Sequence, residues 1–290
     1  MKRLFRRSLR RSGKKGHRQT LGRSAPRSGV FRAIGSEQLE GRIMLTAQLV
    51  VNTTADDIDG GTVADPSGPD GTLSLREAIT VANLDGGANI SINIPGDSVQ
   101  NPQTIGLTSA LPALGNGITI SGPGAGELTV SGRNQFQVFD VSGGATVAIS
   151  GLTIAQGFAL SGGGGILNEG TLALANDVLT NNSASAPSGG FAGGGAIYND
   201  GTLTITTCSL TNNSATATGN GSNVVGGAIF NQSANNSATL TITNSTLSGN
   251  SISDDAGEAD GGAIENDGNA TITGTSITGN TATPRSRIAR

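Results

Sequence analysis

Six acidic side chains in two loop-like segments are the residues of this chain best suited to chemistry: Asp57, Asp59, Asp254, Asp255, Glu258 and Asp260. Calcium takes its ligands from carboxylate oxygens, so either segment could hold this ion. Neither segment has the complete ligand spacing of a calcium-binding loop, and acids solvated in turns are the competing interpretation. Calcium is therefore the one cofactor that the sequence suggests, and these are its candidate ligands.

Covalent and acid–base catalysis find little support elsewhere. The single cysteine, Cys208, could be activated only by the single histidine, His17, which lies in a basic N-terminal segment. Cys208 is therefore predicted to be a small buried residue, with no intrachain disulfide. A polysaccharide lyase needs arginine or lysine as its base. Between residues 43 and 284 only Arg76 and Arg133 qualify, and Arg76 falls in a predicted helix. We predict no catalytic residue.

Charge divides the chain sharply after residue 42. Residues 1–42 contain thirteen of the eighteen lysines and arginines and two acidic residues, whereas residues 43–290 contain five basic and nineteen acidic residues. A body so poor in cations cannot neutralise phosphates, which excludes nucleic acid as its partner. The basic segment has neither helical nor strand periodicity and is predicted to be disordered. It also lacks the apolar stretch of a secretory signal.

The second half of the chain is built from four repeats. They begin with GGGILNEG at 163–170, GGAIYNDG at 194–201, GGAIFNQS at 226–233 and GGAIENDG at 261–268. The matching asparagines are Asn168, Asn199, Asn231 and Asn266, at spacings of 31, 32 and 35 residues. A period of this length is typical of a solenoid or a propeller.

The rest of each repeat predicts strands. In the second repeat Leu203 and Ile205 alternate with polar residues, Leu210 follows five positions later, and Asn213 three positions after that. We count three short strands per repeat, which are too few for a propeller blade. Aromatic residues are only 3% of the chain, which favours a long thin aliphatic core. The fold class is therefore all-β, a right-handed parallel β-helix.

Equivalent residues of successive coils should stack into ladders. The predicted interior ladders are Leu172, Leu203 and Leu240, and Leu179, Leu210, Leu247 and Ile277. Asn182, Asn213, Asn250 and Asn280 should align at one turn of successive coils. Asparagine can pass hydrogen bonds from coil to coil and tolerates left-handed backbone geometry, so we interpret these residues as structural, with ligand contacts as the alternative. Segments between this asparagine and the next glycine pair vary in length and are predicted to be loops, where solenoids place binding sites.

An amphipathic helix should close the first coil. Ser74 and Glu77 fit a capping box, and Leu75, Ile79 and Ala82 then share one face. The end of a solenoid needs such a cover because it exposes core and unpaired strand edges.

Three resemblances to known families add to this picture. LSLREAI at 73–79, with its downstream segments to residue 157, resembles the CSLREAI domain, with Leu73 in place of the family cysteine. Residues 36–47, SEQLEGRIMLTA, resemble the LEPR-XLL segment of planctomycete-type surface proteins, with Gly41 in place of proline. The Gly-Gly-Ala-Ile repeats resemble those of polymorphic outer-membrane proteins. These resemblances imply a β-helix exported to, or displayed at, a bacterial cell surface.

The resulting organisation has four parts. Residues 1–47 form a basic disordered tail with the sorting segment, 48–96 the N-terminal cap, 97–283 the coils, and 284–290 a basic tail that leaves the repeat as a truncated chain would. We predict a non-enzymatic monomer, secreted or at the cell surface or outer membrane, as an adhesin, scaffold or passenger-like domain. Cell-surface glycans or proteins are the expected partners. A carbohydrate-active lyase or hydrolase is the alternative.

Overall fold

Parallel β-sheets wound into a β-helix make up the structure. It is a computed structural model that describes residues 47–93, 101–187, 190–218, 222–232, 237–254 and 258–284. Every pair of neighbouring strands in the described chain runs parallel, and one helix lies among them. The predicted all-β parallel β-helix with a short capping helix is confirmed. The predicted sorting segment and the C-terminal residues 285–290 lie outside the described residues.

The N-terminal half contains the helix and the first coils. Its elements are β1 (Ala47–Val51), α1 (Leu75–Asp85), β2 (Ala88–Ile92), β3 (Gln103–Gly106), β4 (Ile118–Ser121), β5 (Leu128–Ser131), β6 (Phe139–Val141), β7 (Thr146–Ser150), β8 (Thr153–Ala155) and β9 (Phe158–Leu160). From here the coils become regular.

The repeats supply the remaining strands. The first two regular coils comprise β10 (Ile166–Asn168), β11 (Thr171–Ala175), β12 (Val178–Thr180), β13 (Ser183–Ala186), β14 (Phe191–Gly193), β15 (Ile197–Asn199), β16 (Thr202–Thr206), β17 (Ser209–Thr211), β18 (Ser214–Ala217) and β19 (Asn223–Val225). The last two comprise β20 (Ile229–Asn231), β21 (Thr239–Thr243), β22 (Thr246–Ser248), β23 (Ser251–Asp254), β24 (Glu258–Asp260), β25 (Ile264–Asn266), β26 (Asn269–Thr273), β27 (Ser276–Thr278) and β28 (Thr281–Pro284).

Five sheets run along the axis of the helix. Their strand orders are β1-β2-β4-β7-β11-β16-β21-β26, β25-β20-β15-β10-β6, β27-β22-β17-β12-β8-β5-β3, β28-β23-β18-β13-β9 and β14-β19-β24. Each strand therefore pairs with its equivalents in the previous and the next coil, which is the arrangement that the repeat predicts.

The aliphatic ladders lie in the predicted register. Leu203 pairs with Leu172 on one side and with Leu240 on the other, and all three side chains are buried. The second ladder joins Leu179, Leu210, Leu247 and Ile277 in the same way. Only the final coil leaves its ladder residues open, because Ile277 is 44% exposed. Among the described residues the last coil thus has no cover over its interior.

Two ladders of buried asparagines accompany the aliphatic core. In one, the side-chain amide of Asn182 donates to Asn213 Oδ1 at 3.0 Å, Asn213 to Asn250 Oδ1 at 3.0 Å and Asn250 to Asn280 Oδ1 at 2.8 Å. The other connects Asn168, Asn199, Asn231 and Asn266 by contacts of 2.6 Å. The structural interpretation of both asparagine sets is confirmed.

The left-handed backbone lies one residue earlier than predicted. Positive φ occurs at Asn181 (54°), Asn212 (54°), Gly249 (65°) and Gly279 (64°), not at the ladder asparagines that follow them. The assignment of this geometry to Asn182 and its equivalents was wrong. The buried asparagine points inward from the turn, and its preceding residue provides the bend.

The prediction of three strands per repeat was also wrong. The three coils that begin with β10, β15 and β20 each contain five strands. The two additional strands of each coil lie in the segments predicted as loops. In Ser183–Ala186, half-buried serine alternates with buried alanine. The inward side chains form a second small core of Ala184, Ala186, Ala192, Ala215, Ala217, Val224 and Ile252. Alanine buries little area per residue, so this alternation carries a weaker sequence signal than leucine ladders.

The capping helix is fixed to the first coil as its sequence predicts. The hydroxyl of Ser74 accepts from the backbone N–H of Glu77, and the Glu77 carboxylate accepts from the backbone N–H of Ser74 at 3.1 Å. Leu75, Ile79 and Ala82 are completely buried. Helix α1 packs against β1, β2 and β4, which places it over the open end of the core.

A buried carboxyl lies beside the cysteine in one turn of the helix. Asp177 accepts hydrogen bonds from the backbone N–H groups of Leu152 at 2.9 Å and Ala175 at 3.1 Å, and its own N–H donates to Cys208 Sγ. Burial raises the pKa of Asp177 to about 7. Burial, together with the charge of Asp177, raises the pKa of Cys208 to about 11. Cys208 is thus the small buried thiol that the sequence predicts.

Truncation of a ladder asparagine should destabilise the fold strongly. Asn213→Ala would remove the acceptor Oδ1 from the backbone N–H and side-chain amide of Asn182, and the side-chain donor from Asn250 Oδ1 and the carbonyl of Leu179, all within the buried ladder. We expect a loss of about 2–4 kcal/mol in the free energy of unfolding, measured by urea denaturation. The exposed Asn223→Ala is the matched control and should change it by less than about 0.5 kcal/mol. Equal losses in both variants would contradict the ladder's role.

The pKa of Asp177 predicts a pH dependence of stability. Because the folded-state pKa, about 7, lies above the unfolded value of 3.8, this group stabilises the fold fully below pH 3.8 and loses that contribution as pH rises through 7. We expect the stability difference between the wild type and Asp177→Asn to change across this window and to be flat above and below it. Urea denaturation at a series of pH values measures it, and a pH-independent difference would contradict the assignment.

Candidate binding groove

Three aromatic side chains meet on the outer surface of the regular coils. Phe191 belongs to β14, Tyr198 to β15 and Phe230 to β20. The ring centroids lie 6.2 Å apart for Phe191 and Tyr198, 5.5 Å for Phe191 and Phe230, and 5.4 Å for Tyr198 and Phe230. Phe230 is buried, whereas the other two rings are half-buried and reach solvent. The cluster is therefore an apolar floor with two accessible rings.

The register of the sheets explains why these residues meet. One column of equivalent positions contains Asp140, Leu167, Tyr198, Phe230 and Glu265, each paired with the next. Each of these side chains follows a buried or half-buried apolar residue, Phe139 in the first case and isoleucine in the others, so it points away from the core while the apolar residue points into it. The column runs parallel to the helix axis and places aromatic residues between acidic ones.

A second wall comes from the short sheet of β14, β19 and β24. Its register aligns Phe191 with Asn223, and Val225 with Asp260. A glycine turn joins this wall to the next coil, with φ of 63° at Gly194. At such a φ a residue with a side chain would be strained. The turn therefore allows the two walls to follow each other closely.

Two adjoining depressions lie between these walls. The larger has a volume of about 420 Å³ and is lined by Phe191, Tyr198, Asn223, Val225, Phe230, Gln232, Asp260, Glu265 and Asp267. The smaller, of about 230 Å³, is lined by Ser161, Gly162, Leu167, Glu169, Phe191 and Tyr198. They share two aromatic residues, and together they form what we call the aromatic groove. It could accept an elongated ligand along several coils.

Acidic residues give the aromatic groove a negative potential. Asp260, Glu265 and Asp267 line one end and Glu169 the other, and no lysine, arginine or histidine lines either depression in the described part of the chain. Partial burial, together with the charges of Asp260 and Asp267, raises the pKa of Glu265. Burial and the charges of Asp200 and Glu169 raise the pKa of Tyr198 to about 12. The potential thus favours a positively charged ligand.

The four candidate calcium ligands whose side chains the structure describes lie in different surroundings. Asp57 is exposed near the cap, and Asp59 accepts from the backbone N–H of Asp70 at 3.0 Å. Asp254 is buried and accepts from the Ser222 hydroxyl at 3.1 Å, whereas Asp260 lines the aromatic groove. Asp255 and the side chain of Glu258 lie outside the described residues. No three acidic, histidine or cysteine side chains converge as metal ligands within the described ranges.

Asp59 belongs to the scaffold of the cap. Its backbone N–H donates to Glu77 Oε1 at 2.9 Å, and the contact between the two carboxyl groups raises the pKa of Asp59. The expected pair Asp57 and Asp59 is thus divided between a solvent-exposed residue and one that holds the loop against α1.

The two arginines of the β-helix do not form a catalytic site with the groove. Arg76 makes a bidentate ion pair with Asp56, with both contacts at 2.8 Å. It also donates hydrogen bonds to the carbonyls of Ser109 and Ala110. It joins the helix to the first coil. Arg133 is exposed in a turn after β5, with φ of 54°, and lines neither depression.

The sequence contained a signal for the groove that its interpretation did not use. In the repeat Gly-Gly-Ala-Ile-x-Asn, the variable position x is occupied by Leu167, Tyr198, Phe230 and Glu265. Comparison of only the constant residues hides this column. The contribution of Phe191 and Asp260 depends on β14 and β24, which the sequence interpretation took for loops.

Comparisons with protein-family models, with curated proteins and with solved structures found no match for this chain. Among the described residues, no helix is long and apolar enough to cross a membrane.

Proposed function

We propose that this chain is a non-enzymatic binding protein, exported or displayed at a bacterial cell surface, in which the β-helix is the scaffold and the aromatic groove is the binding site. The groove is the observation that carries the proposal. It combines accessible aromatic rings with carboxylates that no basic residue among the described lining neutralises. Aromatic residues are enriched in binding sites because they offer large contact area at low entropic cost.

The proposed location depends on the N-terminal segment. Residues 36–47 resemble the LEPR-XLL segment, and thirteen basic residues lie in residues 1–42. The β-helix itself begins with β1 at Ala47 and has its own hydrophobic core. An adhesin, an envelope scaffold or a passenger-like domain would each use this division between a sorting segment and a folded domain.

A carbohydrate-active hydrolase is the second candidate, and Glu265 is the residue that favours it. A glycosidase pairs a protonated carboxyl of raised pKa with a second, ionised carboxylate. Glu265 has a raised pKa, and Asp260 and Asp267 line the same depression. The aromatic rings beside them could hold a sugar. This candidate leads to an assay with a clear result.

Deletion of the N-terminal segment tests the proposed location. A chain that lacks residues 1–46 keeps β1 and should fold like the full chain, as measured by circular dichroism and thermal denaturation. In fractionated cells we expect the full chain in the surface or secreted fraction and the shortened chain inside. Surface location of the shortened chain would contradict the proposed role of this segment.

An assay for released reducing ends tests the enzymatic alternative. We expect no depolymerisation of pectin, alginate or neutral glycans, with or without calcium. The negative potential of the groove repels polyuronates, and no lysine or arginine lines it among the described residues to act as the base of a lyase. Glu265→Gln is the control for any activity that appears. Depolymerisation that this variant abolishes would establish the hydrolase in place of the binding protein.

A further inference from the structure

We propose that the ligand of the aromatic groove is a glycan that carries protonated amino groups, bound as an extended chain of amino sugars parallel to the helix axis. This inference rests on the proposed binding function and names the class of ligand. It follows from three features of the groove: its accessible aromatic rings, its negative charge and its orientation along the helix axis.

The accessible rings suit the faces of sugars. Phe191 and Tyr198 are half-buried, and Phe230 supports both from below at centroid distances of 5.5 and 5.4 Å. Pyranose rings present C–H groups on their faces, which pack against aromatic rings while their hydroxyl groups remain solvated. Asn223 and Gln232 line the same depression and can exchange hydrogen bonds with such hydroxyls.

The charge of the groove selects among glycans. Asp260, Glu265 and Asp267 lie at one end and Glu169 at the other, without a basic residue among the described lining. Polyuronates are repelled by this potential, and neutral glycans gain nothing from it. Protonated amines on a sugar chain would pair with these carboxylates and lower their mutual repulsion, so the amino glycan uses both properties of the groove.

The direction of the groove suits a polymer with a short repeat. Leu167, Tyr198, Phe230 and Glu265 belong to successive coils, which are spaced by about 4.8 Å. This spacing is comparable with the length of one pyranose unit, so consecutive sugars would meet consecutive coils. Two or three sugars would then lie on the apolar part of the groove, with carboxylates at both ends of this part.

A basic peptide fits the groove less well. An extended peptide usually gains affinity from backbone hydrogen bonds to a free strand edge. The central strands under the groove offer no such edge, because β15 pairs with β10 and β20, and β19 pairs with β14 and β24. Free edges belong to the terminal strands β14, β24 and β25, and a peptide paired there would run along a coil, across the groove and not along it. A ligand that lies along the groove therefore meets mainly side chains, which favours rings that stack over a backbone that needs partners.

Calorimetric titration of the full chain tests the inference. The probe is a hexasaccharide of β-1,4-linked glucosamine, and its fully N-acetylated form is the matched neutral probe. At low salt we expect the amine form to bind at least about tenfold more tightly than the acetylated form, and its advantage to fall as salt is raised. An oligolysine peptide of the same charge should bind more weakly than the amino sugar.

Variants of the groove assign the binding to its residues. Glu265→Gln should weaken amine binding about fivefold or more but leave any residual binding of the acetylated probe unchanged. Tyr198→Ala should weaken binding of the amine probe through the lost stacking surface. Asp57→Asn and Leu84→Ala are the matched controls, since both residues are exposed in the N-terminal cap, and they should bind like the wild type.

The results separate this inference from the proposed function. Equal affinity for the amine and the acetylated probe, or tighter binding of oligolysine, would overturn the amino-glycan assignment and leave a groove that binds other ligands. The same holds if Glu265→Gln binds like the wild type. The absence of binding to every probe overturns the assignment too, whereas the surface-location experiment decides the proposed function independently.

Discussion

The register of parallel strands is the constraint on which the rest of this structure depends. No coil can bury its own interior face, so an inner coil needs neighbours of similar pattern about 4.8 Å away on both sides. Inside, this requirement places Leu203 between Leu172 and Leu240, and Asn213 between Asn182 and Asn250. The asparagines add specificity, because a shift of one residue would bury their amides without partners, whereas leucines would only lose contacts.

The same register also organises the outer surface. A residue that points outward is paired with its equivalents as strictly as its inward neighbour is. The outward residues at one position of the repeat therefore form a column along the axis of the helix. Tyr198 and Phe230 are adjacent only because Ile197 and Ile229 are aligned beneath them. The register of the core thus sets which outward residues are neighbours, and the outward residues can vary as long as the inward ones remain.

The features that recur in every repeat could be predicted from the sequence. Strands whose composition resembles that of a loop could not. The ladders of Leu210 and of Asn199, and the capping box of Ser74, each combine a strong periodicity with a single physical explanation. Strands β13 and β14 could not be recognised in the same way, since the serine–alanine alternation of β13 barely differs from loop composition and β14 is only the three residues Phe191–Gly193. The groove was missed for this reason: one of its walls stands on β14, β19 and β24.

Acidic residues that are close along the chain give the groove its charge. Asp260, Glu265 and Asp267 line one depression, and repulsion between such neighbouring carboxylates opposes folding wherever no cation intervenes. In the cap, by comparison, the buried carboxylate of Asp56 is paired with Arg76. At Glu265, by contrast, partial burial and then the charges of Asp260 and Asp267 raise the pKa, and no cation lines the depression among the described residues. A cationic ligand would relieve this repulsion only when bound, so the groove keeps an electrostatic free energy that binding can release.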